Sequence, residues 1–211
     1  MNATNPQPPS QARSQIWTWM ALAAAAAAVF VYLVLVPPRA GESLGTKGPA
    51  IGHKLPYLQL EPLTGDAAPV SLDDLKDHVT LVNYWGTWCP PCRQEFPHIV
   101  ELAQEFANQK AFKLYAVSCG GEGNDEDLTS LRSETMTFLA ARGASLSTYA
   151  DQNSESRRSM AVGLGLEGFS YPTTLVLDQQ GVIRGFWVGY TTGTEHEMRI
   201  LIEELLRKPA A

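Results

Sequence analysis

The sequence predicts an α/β domain built on a mixed central sheet with helices on both faces, with a single apolar helix near the amino terminus. Three observations predict this. Strand and helix signals alternate from about residue 51 onward. The run Val79 to Trp85 is β-branched, aromatic and apolar enough to be a strand buried on both faces. Thr173 to Leu177 and Val182 to Val188 flank Asp178-Gln179-Gln180-Gly181, a hairpin signature with its turn glycine in place, so these two strands are expected to be antiparallel neighbours.

The elements follow in chain order. Tyr57 to Glu61 reads as a strand and Val79 to Trp85 as the next. After them Phe96, Ile99, Val100, Ala103 and Phe106 recur at helical spacing, which predicts a helix from about Pro91 to about Asn108. Pro97 inside it removes one backbone hydrogen bond and predicts a kink. Phe112 to Ser118 is a third strand, and Gly120 to Asp127 is too glycine-rich and acidic to be regular. A helix from about Leu128 to Arg142 and a short strand near Thr148 to Ala150 precede the hairpin. The last helix is expected to open on a capping box of Thr194 and Glu197, with Met198, Leu201, Ile202 and Leu205 on one face.

The 211 residues are 45% hydrophobic and 18% charged, enough for one medium core. The first 40 residues hold Arg13 and Arg39 and no acid, while the remainder holds 14 basic and 22 acidic side chains. A net-acidic body without Lys/Arg runs offers no counterion-release surface, which sets nucleic-acid binding aside.

Residues 1–15, rich in Pro, Gln, Ser and Asn, read as a disordered tail. Residues 16–36 carry no charge, and 21 helical residues span about 31 Å, enough to cross a bilayer. A cleaved secretory signal has an apolar core of roughly 7 to 15 residues and a small-residue cleavage site. This run ends in Leu35-Val36-Pro37-Pro38-Arg39 with no Ala-x-Ala after it, so an uncleaved signal-anchor is expected. Residues 37–50 read as a linker and 51–211 as the folded domain.

Chemistry concentrates in Trp85-Gly86-Thr87-Trp88-Cys89-Pro90-Pro91-Cys92-Arg93-Gln94-Glu95-Phe96-Pro97. A strand ending at about Trp85 and a helix starting at about Pro91 put Cys89 at a helix amino end and Cys92 in its first turn. A first-turn proline forfeits only an amide hydrogen that had no intrahelical partner. The helix dipole and unpaired amide hydrogens favour thiolate at Cys89, which marks it as the nucleophile. Cys92 then attacks the mixed disulfide that Cys89 forms with a substrate, leaving a Cys89–Cys92 disulfide.

Other uses of the pair are weaker. A structural disulfide here closes a tiny loop and constrains the unfolded chain little. Zinc wants four ligands, and beyond the pair the chain offers Cys119 and four scattered histidines, His53, His78, His98 and His196. Copper(I), which two thiolates can hold, stays open as an alternative. Glu95, three residues past Cys92, is placed one turn along the helix. There it could relay protons to Cys92 or sit on the surface stabilising the helix start.

Tyr84-Trp85-Gly86-Thr87-Trp88-Cys89-Pro90-Pro91-Cys92 with Arg93, Glu95 and Pro97 resembles the membrane-anchored thioredoxin-like reductases of the TlpA and ResA type, over about residues 50–207. The resemblance implies a thioredoxin-like fold with an amino-terminal strand extension. It implies a catalytic set of Cys89, Cys92, Glu95 and Pro172, the last as a cis-proline that presents the preceding backbone to the substrate. Trp88, Pro90 and Tyr171 would line the substrate site. No cofactor beyond the Cys89–Cys92 disulfide is implied. The partners implied are protein thiols and disulfides and a membrane electron donor of the CcdA/DsbD kind. The location implied is the bacterial inner membrane, single-pass, with the catalytic domain in the periplasm and residues 1–15 in the cytoplasm.

Two departures stand out. Asn83 occupies the place where ordinary thioredoxins carry a buried acid, which leaves proton handling to Glu95 or water. The stretch from Asp151 to Pro172 is longer than the family usually has, which bears on the surface around Pro172.

The function expected is therefore a membrane-tethered thiol-disulfide oxidoreductase reducing exported proteins such as apocytochrome c or copper-site cysteines. A copper metallochaperone, or a thiol oxidant or isomerase of the same fold, is the alternative. A peroxiredoxin-like site is rejected because Thr87 stands two residues before Cys89, not three, and lacks the accompanying proline. Cys119 reads as a small buried residue, and the acidic loop Glu122 to Asp127 lacks the ligand alternation of a calcium loop.

Overall fold

The computed structural model describes residues 44–121 and 127–208, together with Met20. The tail expected over 1–15, most of the anchor expected over 16–36 and residues 122–126 of the acidic loop lie outside the described residues. Among those described, no helix is long and apolar enough to cross a membrane. The chain divides into two units, Met1–Glu42 and Ser43–Ala211.

Among its described residues the second unit is a seven-stranded sheet with four α-helices. In chain order these are β1 (Gln59–Thr64), β2 (Val70–Ser71), β3 (Val79–Trp85), α1 (Pro90–Glu105), β4 (Phe112–Ser118), α2 (Leu128–Ala141), β5 (Thr148–Ala150), α3 (Glu155–Gly163), β6 (Thr173–Leu177), β7 (Ile183–Val188) and α4 (Thr194–Arg207). The strand order is β2-β1-β5-β4-β3-β6-β7. β3, β4 and β5 run parallel, and β6, β7, β1 and β2 join antiparallel, giving the mixed sheet expected.

β3 lies between β4 and β6 and is buried along its whole length. Its side chains alternate between two cores, as the period of two requires. Val79 and Leu81 pack with Ile99 and Leu102 of α1 and Met198 and Ile202 of α4, and Trp85 packs with Phe96 of α1 and Phe138 of α2. Val82 and Tyr84 face the other way, onto Met160 of α3 and Leu55 and Leu58. One face therefore carries the cysteine helix, and the other carries α3.

Several expectations are corrected. β1 starts two residues later than predicted and continues through Pro62, because β2 pairs only with Gln59 and Leu60 and asks nothing of the proline. A register shift against β5 falls between Pro62 and Thr64. α3 falls in a stretch where no element was predicted. The capping box of the last helix is absent: Gly193 is the N-cap with φ 102°, and its N–H is accepted by Glu195 at 3.1 Å. Glu197 instead accepts the indole N–H of Trp187 at 3.1 Å.

The hairpin turn forms as the residues dictate. Asp178 Oδ1 accepts the amides of Gln180 and Val182 at 2.9 and 3.0 Å, and Gly181 takes φ 71°. Within the segment read as linker, Leu44–Thr46 forms a 3-10 turn and Ala50 is buried in the core. Beyond them Gly52 donates to Ile183 O and Ile183 donates to His53 O, both at 2.9 Å, which ties this segment to the edge strand β7.

Candidate active site

α1 begins directly after Cys89, with Pro90 and Pro91 at its first two positions, where a missing N–H is harmless. Cys89 is the N-cap residue, and its Sγ accepts the backbone N–H of Cys92 at 3.3 Å. The two sulfurs are joined in a disulfide. Both cysteines are nearly covered, at 3% and 1% exposure. Their cover is aromatic: Trp85, Phe96 and Phe138 pack with them, and Tyr171 lies against the same cluster. Trp88 is 45% exposed and meets the Tyr171 ring edge-on at 5.4 Å.

Pro97 lies inside α1 without ending it, and its side is exposed. The inward face carries Cys92, Glu95 and Phe96. Glu95 is 1% exposed and is held by two side chains from the sheet. Asn83 Nδ2 donates to Oε2 at 2.8 Å and Thr174 Oγ1 donates to Oε1 at 3.1 Å, while Asn83 Nδ2 also donates to Thr174 Oγ1 at 2.8 Å. Burial pushes the Glu95 carboxyl up from 4.5 to about 7, against the downward pull of the two hydrogen bonds. A carboxyl that titrates near neutrality, one turn from Cys92 on the same helix face, suits proton exchange with that thiol.

The Tyr171–Pro172 peptide bond is cis. Pro172 O accepts the Gly189 amide at 2.7 Å, which fixes the loop to the end of β7. The structure thus gathers Trp88, Cys89, Cys92, Glu95 and Tyr171 around one disulfide, with Pro90 exposed at the helix start. Sequence reasoning did not find Thr174, whose partner is 79 residues away, nor Arg157.

Cys119 packs in the core on the opposite face of the sheet from the disulfide. Its thiol donates to Val117 O at 3.5 Å and its carbonyl accepts the Trp88 indole N–H at 3.0 Å. Among the described residues no group of three or more His, Cys, Asp or Glu side chains is placed to hold a metal.

A disulfide at a helix N-terminus, on a mixed sheet with a cis-proline loop beside it, defines a thioredoxin-like thiol-disulfide oxidoreductase. A family model described as AhpC/TSA matches residues 51–186, and the chain belongs to that family. The thioredoxin-like protein YneN of Bacillus subtilis is 30% identical over 149 residues, covering 71% of this chain and 78% of its own. The thiol-disulfide oxidoreductase ResA of the same organism is 26% identical over 149 residues, 71% of each chain. Among solved structures, a thiol:disulfide interchange protein of the thioredoxin family from Chlorobium tepidum superposes with a TM-score of 0.57 at 21% identity, covering 74% of this chain and 98% of that one, which shows the shared fold. The likeness to the TlpA and ResA type read from the motif therefore stands.

Proposed function

We propose that this protein is a membrane-tethered reductase of disulfides in exported proteins. The observation that carries the proposal is the pairing of a helix-capped Cys89–Cys92 disulfide with the buried Glu95 one turn further on.

In the reduced protein, Cys89 is the thiolate, favoured by the amide hydrogens and dipole at the start of α1. It attacks one sulfur of the substrate disulfide, and the first substrate thiolate leaves and takes a proton. Cys92 then gives its proton to Glu95 and attacks Cys89 Sγ. The second substrate thiolate leaves, both electrons have passed to the substrate, and the Cys89–Cys92 disulfide is restored. Trp88, Pro90, Tyr171 and Pro172 form the surface on which the substrate chain lies.

Direction follows from what surrounds the thiolate. A strong oxidant has its reduced thiolate heavily stabilised, and Pro90-Pro91 places no charged or histidine side chain between the cysteines. Residues 16–36 anchor the chain in the cytoplasmic membrane, with the domain in the periplasm, and a membrane carrier of the CcdA/DsbD kind resupplies electrons. Apocytochrome c haem-site cysteines or copper-site cysteines of respiratory complexes are the substrates the motif favours.

Replacing Cys92 by Ser removes the resolving thiol. Under exporting conditions Cys92→Ser should accumulate mixed disulfides through Cys89 that dithiothreitol releases, and mass spectrometry of the released partners identifies the substrates. Absence of any thiol-labile partner would sink the proposal.

A further inference from the structure

The Tyr171 ring is not simply packed; its hydroxyl is held. Arg157 Nη1 donates to Tyr171 Oη. The same guanidinium donates from Nε to Asp151 Oδ2 at 2.9 Å and from Nη2 to Ser154 Oγ at 2.6 Å. Asp151 follows β5 directly and accepts the amides of Ser156 and Arg157 at 2.9 and 3.0 Å, so it also fixes the first turn of α3. Both charged side chains are buried. The clamp therefore runs from the sheet, through Asp151 and Arg157, to the residue before Pro172. Tyr171 in turn stands edge-on between Phe169 at 5.5 Å and Trp88 at 5.4 Å, beside the cluster that contains Cys89.

A guanidinium shared among three acceptors is a rigid fork. Burial of the ion pair makes it expensive to open, because a lone buried charge would remain. Tyr171 is thereby a fixed wall of the cluster that holds the reactive sulfur. A fixed wall discriminates between substrates by size, whereas a mobile one adapts to each.

We infer that Arg157, anchored by Asp151, is a specificity-determining positioning residue: it holds Tyr171 so that the site accepts a small side chain next to the substrate's half-cystine and rejects a large one. This rests on the reductase reading.

The test uses the pre-reduced full-length protein and two peptide disulfides in excess, identical except for Gly or Leu next to the half-cystine. The readout is the ratio of their second-order rate constants, which does not depend on how much of a preparation is folded. Wild type should favour the Gly peptide at least tenfold. Arg157→Met, and Arg157→Lys with its single nitrogen, should shrink that preference at least threefold. Tyr171→Phe keeps the Arg157–Asp151 pair and loses only the hydroxyl, so it remains informative should the Arg157 variants fail to fold. It should show the same loss, and Arg157→Met combined with it should lose no more. Equal ratios in wild type and Tyr171→Phe, or no preference in wild type, overturn the inference while leaving the reductase intact. Failure of wild type to reduce either peptide overturns the reductase reading, and this inference with it.

Discussion

The side-chain amide of Asn83 donates to the Glu95 carboxylate at 2.8 Å, joining the central strand to the active-site helix beneath the disulfide. Asn83 itself cannot ionise, so Glu95 is the titrating member of the pair, and burial raises its pKa to about 7.

Stability should carry the mark of this burial. Glu95 titrates at about 7 in the folded protein against 4.5 ordinarily. Between these values the folded protein holds a proton that the unfolded chain has released, so Glu95's contribution falls as pH rises through the window and is flat above it. A shift of this size corresponds to about 3 kcal/mol. Glu95→Gln should be more stable than wild type by up to that amount at pH 8 and within about 1 kcal/mol of it at pH 5. Urea unfolding at the two pH values measures the difference, which should be near zero at both if Glu95 titrates normally.

Kinetics should report the same group. In single-turnover exchange the wild-type rate should rise through an inflection near pH 7 as Glu95 becomes able to accept the Cys92 proton. Glu95→Gln should lose that inflection and react on the order of 100-fold more slowly. An unchanged pH profile in the variant would remove Glu95 from the reaction.

Asn83→Asp puts a second carboxylate within hydrogen-bond reach of the first. Two such groups share one proton, and the pair then titrates with one step pushed above that of Glu95 alone. The inflection in exchange rate should move up by at least one pH unit, and a pH profile of this variant checks it.

Gly86 is required by contact. A Cβ there would run into the Trp88 indole and approach Cys119 O to 3.0 Å, the atom that accepts the Trp88 N–H. Gly86→Ala should lower stability by about 1–3 kcal/mol in denaturant unfolding, with Trp88 displaced.

Where the sequence was legible, one physical signal dominated. The strands Val79–Trp85, Phe112–Ser118 and Thr173–Leu177 are apolar runs between punctuating residues, and they fold where those runs lie. Cys89, Cys92 and Glu95 share one short motif and the first two turns of one helix. α3 was not legible because its inward face uses Ser156 and Arg157 beside Met160, and a buried charge has no periodic signature. Arg157 became visible only once Asp151 and Tyr171 were placed around it. Thr174 pairs with Asn83 on the neighbouring strand and meets Glu95 of α1 from the same face of the sheet, a contact that strand pairing creates and local pattern does not encode. The start of α4 misled because Thr194 and Glu197 have the spacing of a capping box, yet Trp187 on the adjacent strand takes the Glu197 carboxylate.

The direction of electron flow is tested most directly by the reduction potential of the Cys89–Cys92 couple, from equilibration of the full-length protein with glutathione or dithiothreitol buffers. A reductase should lie at roughly −200 mV or below, toward the thioredoxin end of the scale. A value near −120 mV, where strong oxidants of this fold lie, would contradict it.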